Sequence, residues 1–317
     1  MDLTDTIELP PPPDVPQTVP VGAGLSIFDP VFLGIDEFGH PAYLPMIYRN
    51  ILIGGEPGAG KSSLLNTIVG HAALCPDVRL CLLDGKQVEL GLWKDAADVF
   101  VGPDMDYAIR TLRRVQTVMD NRYSFLLSHR RRKIGPNDVF GQILVACDEI
   151  AYFSATAGDK KDQDLFAALL RDIVARGRAV GIIVAAATQR PSSDIIPPSL
   201  RDLFAWRFAG RCTNDVSSDI VLGHGWYARG FSSNSIDPNN QGEGYLIAEG
   251  GIPNRVKAAY MTDADIIRVA DYATWTRRRT GLAAPADLRT AARAPRPLPR
   301  LASWTSCSSG PARTSLH

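Results

Sequence analysis

The 317-residue sequence has no long apolar run and no clustered cysteines. No stretch approaches the ~20 apolar residues of a membrane-spanning helix, and the N-terminus lacks the basic, then apolar, order of a signal peptide. The five cysteines are scattered, without the C-x-x-C spacing of a zinc or redox site. We therefore expect reduced, unpaired thiols in a cytoplasmic protein that reaches a membrane only through a partner or a surface contact.

A net charge is also absent, since 34 Lys and Arg balance 34 Asp and Glu. The charges are nevertheless unevenly distributed: residues 110–133 contain eight basic residues and one acid, Asp120. Such a run is either a solvated helix face or a contact to a phosphate backbone, and both interpretations stay open here. The basic tail from Arg277 onward is better explained as a solvated, disordered segment.

The two ends of the chain differ in composition from its middle. Residues 1–22 are rich in proline and acids, and residues 282–317 are rich in Ala, Pro, Arg and Ser without an apolar period. Both compositions are typical of disordered segments. We therefore predict one folded domain over residues 23–281, with a disordered lead-in and a disordered basic tail.

One motif dominates the folded region. Residues 55–62 read Gly-Glu-Pro-Gly-Ala-Gly-Lys-Ser and fit the pattern G-x-x-x-x-G-K-[ST]. The apolar run before them predicts a buried strand, and residues 63–69 predict the first turns of a helix. This setting forms an anion cradle because unpaired backbone amides and the helix dipole converge on a phosphate. A chance match would lack the setting, so we interpret the motif as a nucleoside triphosphate site.

Each residue type in this phosphate loop has an expected role. Glycines let the backbone wrap closely around the phosphates. Lys61 supplies a point charge to the β- and γ-phosphates, and Ser62 supplies a hydroxyl to Mg²⁺. The predicted nucleotide-binding residues are Gly55, Glu56, Pro57, Gly58, Ala59, Gly60, Lys61, Ser62 and Ser63.

Two carboxylates follow another predicted buried strand, residues 143–147. We expect Asp148 to hold Mg²⁺ through water next to Ser62, and Glu149 to orient or deprotonate the attacking water. A strand ending in Asp-Glu is a weak signal by itself, because surface loops often begin that way. Downstream of a phosphate loop, the pair predicts hydrolysis rather than binding alone.

The next predicted strand, residues 181–187, ends in Thr-Gln-Arg-Pro. Gln189 at this strand end is expected to point toward the γ-phosphate and sense its presence. The alternative is a simple turn opened by Pro191. The strand that follows, residues 204–212, is predicted to carry Arg207 and Arg211 on one face.

Strands alternate with helices along the chain. Helices are predicted over residues 106–128, 162–178 and 262–279, with a hairpin within 25–45 laid beside the nucleotide site. A second hairpin over residues 244–261 closes the domain. The pattern predicts an α/β fold with a mainly parallel sheet and helices on both faces.

Over residues 31–273 the sequence resembles the motor domain of the FtsK/SpoIIIE family of DNA translocases. Residues 33–39 are similar to the family's hairpin, residues 83–90 to its Asp-Pro-Lys-x-x-Glu-Leu element, and residues 145–151 to its Walker B segment. The most specific match is Arg-Gly-Arg-Ala-Val-Gly-Ile at 176–182 leading into Ala-Thr-Gln-Arg-Pro-Ser at 187–192. Such a strand end is far rarer than a phosphate loop.

The resemblance implies a RecA-like P-loop ATPase that uses ATP and Mg²⁺. It further implies a homo-hexameric ring around double-stranded DNA, with ATP between subunits and an arginine supplied by the neighbour. Arg178, Arg207 and Arg211 lie in the matching segments, and which of them reaches across stays open.

The sequence departs from the family pattern in two features. It shows neither the membrane-spanning N-terminal region nor the C-terminal winged-helix module that the resemblance would lead us to expect. Its build is more similar to the plasmid transfer proteins of filamentous bacteria. This implies an ATP-driven translocase that moves plasmid DNA between cells and works with membrane-bound transfer partners. Two alternatives stay open: a protein-secretion ATPase of the same fold, and a non-motor DNA-binding or regulatory protein with a nucleotide site.

Overall fold

The computed structural model describes residues 25–138 and 140–279, which are organised around one ten-stranded sheet. The predicted lead-in (1–22) and tail (282–317) lie outside the described residues, so both domain boundaries stay predictions. Within the described ranges, none of the helices combines the length and the apolar character needed to cross a lipid bilayer.

The sheet has a parallel centre and an antiparallel flank. Its strands are β1 (Val31–Asp36), β2 (Pro41–Leu44), β3 (Ile51–Gly54), β4 (Val78–Leu83), β5 (Val99–Val101), β6 (Gln142–Cys147), β7 (Ile182–Thr188), β8 (Trp206–Gly210), β9 (Glu243–Ala248) and β10 (Asn254–Ala258). Their spatial order is β2-β1-β10-β9-β8-β3-β7-β6-β4-β5. The strands from β8 to β5 in that order are parallel, whereas β2, β1, β10 and β9 pair antiparallel. The prediction of a mainly parallel sheet is confirmed.

Helices cover both faces of this sheet, as predicted. They are α1 (Lys61–Leu74), α2 (Met105–Ser128), α3 (Lys160–Arg176), α4 (Pro198–Arg201), α5 (Asp215–Leu222) and α6 (Asp263–Arg279). Side chains of β6 alternate between two cores: Ile143 and Val145 join the core of α2 and α3, whereas Leu144 and Ala146 join that of α1 and α6. Strands buried on both faces explain why the parallel strands are continuous apolar runs.

The six parallel strands end on one edge of the sheet, which we call the carboxyl edge, and begin on the opposite amino edge. The phosphate loop follows β3, and the two carboxylates follow β6. Because β7 pairs with both β3 and β6, the three strand ends lie side by side at the carboxyl edge.

The structure differs from the sequence prediction in several places. The hairpin β1–β2 is separated from β3 by β10, β9 and β8, so it lies at the sheet's flank and not beside the nucleotide site. Strand β5 and helix α5, both too short for a periodic signal, lie where no strand or helix was predicted. Arg122, in the basic stretch 110–133, is buried, and its guanidinium donates 2.6 Å hydrogen bonds to the carbonyl oxygens of Val180 and Gly141.

Arg277, predicted to begin the solvated basic tail, is instead buried and fastens α6 to the sheet. Its buried Nη2 lies 2.6 Å from Asp98 Oδ2 and 3.1 Å from the carbonyl oxygen of Val78. We expect Arg277→Ala to lower the free energy of unfolding by about 3 kcal/mol, because it leaves buried polar partners behind. The control is Arg268→Ala on the same helix, whose solvent-exposed pair with Asp265 should contribute little to stability. Denaturant titration measures both variants, and equal losses would contradict the anchoring role.

Candidate active site

The phosphate loop joins β3 to α1 at the carboxyl edge. Gly58 and Gly60 have φ angles of 81° and 85°, in the left-handed region that glycine adopts without a steric penalty. Gly60 immediately precedes the first turn of α1, so the loop leads directly into the positive end of the helix dipole. The strand, turn and helix that the motif predicted are all present.

A segment from far along the chain forms a second wall beside this loop. The Gly242 amide donates to the Ala59 carbonyl oxygen at 3.3 Å, and a Cβ on Gly60 would lie only 2.2 Å from Gly242 Cα. This contact was not predicted, because the segment around Gly242 contains no residue type that marks a nucleotide site. Between the two walls lies a cleft of about 200 Å³ lined by Glu56, Pro57, Gly58, Ala59, Arg211, Asp237, Pro238, Asn240 and Gln241.

We expect Gly60→Ala to weaken nucleotide binding roughly 10-fold or more, because its methyl group would strain the backbone and displace Gly242. Gly58→Ala is the matched control: its φ is also positive, but a Cβ there would have no atom of the described residues within 4 Å. Titration with a fluorescent ATP analogue compares the two variants. Equal affinities would show that the Gly60–Gly242 contact does not shape the site.

Lys61, the first residue of α1, is almost entirely buried. Its Nζ donates a 2.7 Å hydrogen bond to the Glu56 carbonyl oxygen, within the phosphate loop. Burial lowers the pKa of Lys61, and the negative charges of Glu149 and then Asp148 oppose that shift. Because β3, β7 and β6 end side by side, the ammonium group and both carboxylates lie at the same part of the carboxyl edge.

Asp148 has the properties of a cation ligand. Its side chain is buried, and its Oδ2 has no hydrogen-bond partner among the residues that the structure describes. Burial, followed by repulsion from Asp84 and Glu89, raises the pKa of Asp148 to about 7. A divalent cation would satisfy the oxygen and offset the negative charge. Ser62, the other predicted ligand, is half-buried in the first turn of α1, next to Ser63.

This donor set fits Mg²⁺ better than a cation enclosed by protein. Within the described part of the chain, no three or more His, Cys, Asp or Glu side chains form a group that could hold a metal. Mg²⁺ commonly uses one or two carboxylates and fills its remaining positions with water and phosphate oxygens. A site in which Asp148 and Ser62 are the protein's ligands is compatible with this coordination and stays a prediction.

Glu149 is held at both carboxylate oxygens. Its Oε1 accepts from Thr188 Oγ1 at 2.7 Å and from the Ala151 amide at 3.1 Å. Its Oε2 accepts from the Gln189 amide at 2.8 Å. The carboxylate is therefore fixed at the end of β7, the strand between β6 and the strand that carries the phosphate loop.

Gln189 directly follows β7 at the carboxyl edge, and its side chain is half-buried. This position is beside the phosphate-loop strand, where the sequence placed it. Its contact with Glu149 is made by the backbone amide, a link that side-chain reasoning did not anticipate. Detection of the γ-phosphate by the Gln189 side chain stays a prediction.

The three candidate arginines are not together. Arg211 follows β8 and forms an ion pair with Glu56 of the phosphate loop. Arg207 lies near the start of β8, so four residues of strand place it about 13 Å away, toward the amino edge. Arg178 precedes β7 at that same edge, where its Nε donates to the Tyr48 carbonyl oxygen at 2.9 Å. Arg207 and Arg211, predicted on one strand face, lie at opposite ends of β8.

Asp84, in the element at residues 83–90, is a structural residue of the site that was not among the predicted site residues. Its side chain is fully buried at the end of β4, and it shapes the loop that carries Glu89 beside Asp148. The Asp-Gly pair at a strand end was the available signal, since aspartate commonly binds amides of a following turn. The amides that donate to Asp84, each at 2.9 Å, belong to Lys86, Gln87 and Leu90.

Comparison with known proteins gives independent evidence. The model of the FtsK/SpoIIIE family matches residues 14–143. The DNA translocase FtsK of Haemophilus influenzae is 28% identical over 280 residues, which cover 76% of this chain and 51% of that protein. FtsK of Treponema pallidum is 28% identical over 257 residues, covering 76% of this chain and 31% of that protein. The chain thus spans about half and about a third of these two curated relatives.

Solved structures show the same fold. The pCW3 conjugation coupling protein TcpA, in its monomer form with ATPγS, has a TM-score of 0.63 at 20% identity. The match covers 75% of this chain and 67% of the TcpA chain. The type VII secretion ATPase EccC of Thermomonospora curvata has a TM-score of 0.62 at 22% identity, covering 79% of this chain and 31% of its own. At these identities the likeness shows the P-loop ATPase fold alone. Together with the sequence matches, it confirms the resemblance of this chain to the FtsK/SpoIIIE family.

Proposed function

We propose that this chain is an ATP-hydrolysing motor that translocates double-stranded DNA. The observation that carries the proposal is the meeting of three groups at the carboxyl edge: buried Lys61, the unpartnered Asp148 oxygen and the fixed Glu149 carboxylate. Binding alone needs the phosphate loop and Lys61, whereas a carboxylate fixed beside them serves hydrolysis. Relatives that are DNA translocases support DNA as the substrate that is moved.

Each side chain has a defined part in this reaction. The loop amides and Lys61 bind the β- and γ-phosphates of ATP. Ser62 and Asp148 hold Mg²⁺, which neutralises charge on the phosphate oxygens. Glu149 accepts a proton from water as the water oxygen bonds to the γ-phosphorus and the bond to the β–γ bridging oxygen breaks. Gln189 senses the γ-phosphate and passes its loss into the loop after β7.

For contact with DNA we propose the basic loop, residues 130–133, which follows α2. All four of its side chains are exposed: Arg130, Arg131, Arg132 and Lys133. Three of them, all except Arg130, line a cleft of about 480 Å³. Lys133 Nζ lies 4.6 Å from the centre of the Tyr48 ring, which fixes the loop at the amino edge. Charge of this density suits a phosphate backbone and carries no base specificity.

We further infer a homo-hexameric ring. Arg178 and Arg207, at the amino edge, are the candidates to reach the neighbour's nucleotide, while Arg211 lies within its own subunit's site. The specific role that we infer is the movement of plasmid DNA between cells, together with membrane-bound transfer partners. TcpA, a conjugation coupling protein, shares the fold that this role requires.

The test is ATP turnover by the full chain with and without duplex DNA. We expect duplex DNA to raise the rate about 10-fold or more, with a steep loss of stimulation as salt rises. Hydrolysis that proceeds at one constant rate whether or not DNA is present would refute translocation. Binding of an export-signal peptide in place of DNA would favour a secretion ATPase instead.

Neutralising the basic loop is expected to weaken DNA binding without affecting nucleotide binding. The variant replaces three residues with glutamine: Arg130→Gln, Arg132→Gln and Lys133→Gln. In a plot of log affinity against log salt concentration, the magnitude of its slope should be smaller by up to about 2.7, because each phosphate contact contributes about 0.9 to the slope. Arg131 is retained because its side chain is paired with Asp138.

The control removes three exposed charges elsewhere, through Lys94→Gln, Arg171→Gln and Arg268→Gln. Fluorescence anisotropy with a labelled duplex at several salt concentrations measures both triple variants. The same change of slope in both would show that the basic loop has no special part in DNA binding.

A further inference from the structure

The hydrogen bonds around Glu149 identify a residue with a part in the proposed hydrolysis. Thr188, the last residue of β7, is fully buried. Its Oγ1 accepts from the Arg190 amide at 3.1 Å, so its single proton is directed to Glu149 Oε1 at 2.7 Å. The direction of this hydrogen bond is therefore fixed by the backbone that follows β7.

We propose that Thr188 is a positioning residue that holds the Glu149 carboxylate in its working orientation. Oε1 accepts two hydrogen bonds and Oε2 accepts one. A carboxylate offers roughly four acceptor positions, so one position on Oε2 is left for the attacking water. The three donors thus determine both where the carboxylate lies and which oxygen takes the proton.

The topology explains why this orientation suits catalysis. Glu149 follows β6, and β7 separates β6 from the phosphate-loop strand β3. A carboxylate bound to the end of β7 is therefore directed toward the phosphate loop. Asp84, which follows β4, lies on the opposite side of β6. In agreement, Glu149 is the charge that most strongly opposes the lowering of the Lys61 pKa by burial.

The same bonds connect Glu149 to the loop after β7. Two of its three donors, the Thr188 hydroxyl and the Gln189 amide, belong to that segment. A displacement of Gln189 would move the carboxylate with it, so the state of the loop would set the rate of water attack. This inference rests on the proposed function. It adds Thr188 as the residue that couples the γ-phosphate-sensing loop to the attack by water.

The test replaces Thr188 with Val, which keeps the shape and removes the hydroxyl. We expect kcat for ATP to fall about 10- to 100-fold with an unchanged KM, because a displaced base loses its alignment while the phosphate loop is untouched. Thr188→Ser, which restores the hydroxyl, should recover most of the rate. Thr274→Val removes another buried hydroxyl far from the site and should leave kcat unchanged.

A double-mutant cycle separates positioning from general damage. In a Glu149→Gln background, Thr188→Val should lower kcat no further, because the group that it positions has already been disabled. Additive losses, an unchanged kcat in Thr188→Val, or a rise in KM that matches the fall in kcat would each overturn the proposal. Should Thr188→Val fail to fold, Thr188→Ala enters the same cycle. Wild-type protein without ATP turnover would refute the proposed function itself, which is a distinguishable result.

Discussion

Lys61→Ala is expected to abolish both ATP binding and ATP turnover, whereas Glu149→Gln is expected to abolish turnover alone. The lysine ammonium lies inside the phosphate loop, 2.7 Å from the Glu56 carbonyl oxygen, and is the loop's own positive side chain. Its loss removes charge from the binding site and from the transition state together. We expect turnover to fall about 100-fold or more, within the range for loss of a principal electrostatic group.

Glu149→Gln tests a different property. Glutamine has nearly the shape of glutamate but cannot accept the proton of the attacking water, so ATP should bind and remain unhydrolysed. We expect turnover to fall about 100-fold or more at a nucleotide affinity close to that of the wild type. Turnover assays and titration with a fluorescent ATP analogue distinguish the two variants. Lys94→Ala and Glu37→Gln, both at exposed positions, are the controls.

Either of two results would contradict this assignment. The first is tight nucleotide binding by Lys61→Ala, which would mean that the phosphates do not lie in the loop. The second is substantial turnover by Glu149→Gln, which would make another group the base. Glu89 would then be the next carboxylate to test, because its charge also acts on Lys61 and Asp148.

Asp148→Asn is expected to stabilise the nucleotide-free protein while impairing its use of Mg²⁺-ATP. The pKa of Asp148 is raised from 3.8 to about 7, chiefly by burial. Above pH 7 the folded state therefore holds a buried charge that the unfolded state solvates freely. The asparagine variant should gain about 2 to 4 kcal/mol in free energy of unfolding at pH 8.

The sign of the pH dependence follows from proton binding. Between pH 4 and pH 7 the folded protein binds a proton at Asp148 that the unfolded chain does not, so this residue's contribution to stability falls as pH rises through that window. Asp148→Asn removes that slope, and its stabilisation should be nearly absent at pH 4. Denaturant titrations at both pH values in EDTA measure the difference. The exposed Asp164→Asn is the control, and a gain independent of pH would contradict the burial of charge at Asp148.

The elements that could be predicted from the sequence are those for which one physical signal dominates the local pattern. The end of strand β4 is readable from the sequence, because its apolar run stops at Asp84-Gly85. The phosphate loop was recognisable because its glycines and Lys61 are each demanded by the chemistry. Strand β5, with three residues, offers no periodicity. Helix α5 places Val216 in solvent, which weakens its apolar pattern.

Other features depend on contacts between distant segments and could not be read from local sequence. Arg122 looked like part of a solvated basic run, but the carbonyl oxygens that bind it belong to residues 141 and 180. The approach of Gly242 to Gly60 likewise depends on how β9 attaches to the sheet. Thr188 carries no catalytic signature, and only its distance from Glu149 reveals its part.

The pairing of β1 with β10 has a consequence for how the protein is made. Gly34 lies opposite Ala258, so two segments more than 200 positions apart must meet before the antiparallel flank exists. At roughly 5–20 residues per second on the ribosome, the first segment waits tens of seconds for its partner. During that time β2 and α1 can contact β1, but the edge of β1 that pairs with β10 has no native partner. The newborn chain should therefore depend on a holding chaperone until its synthesis is nearly complete.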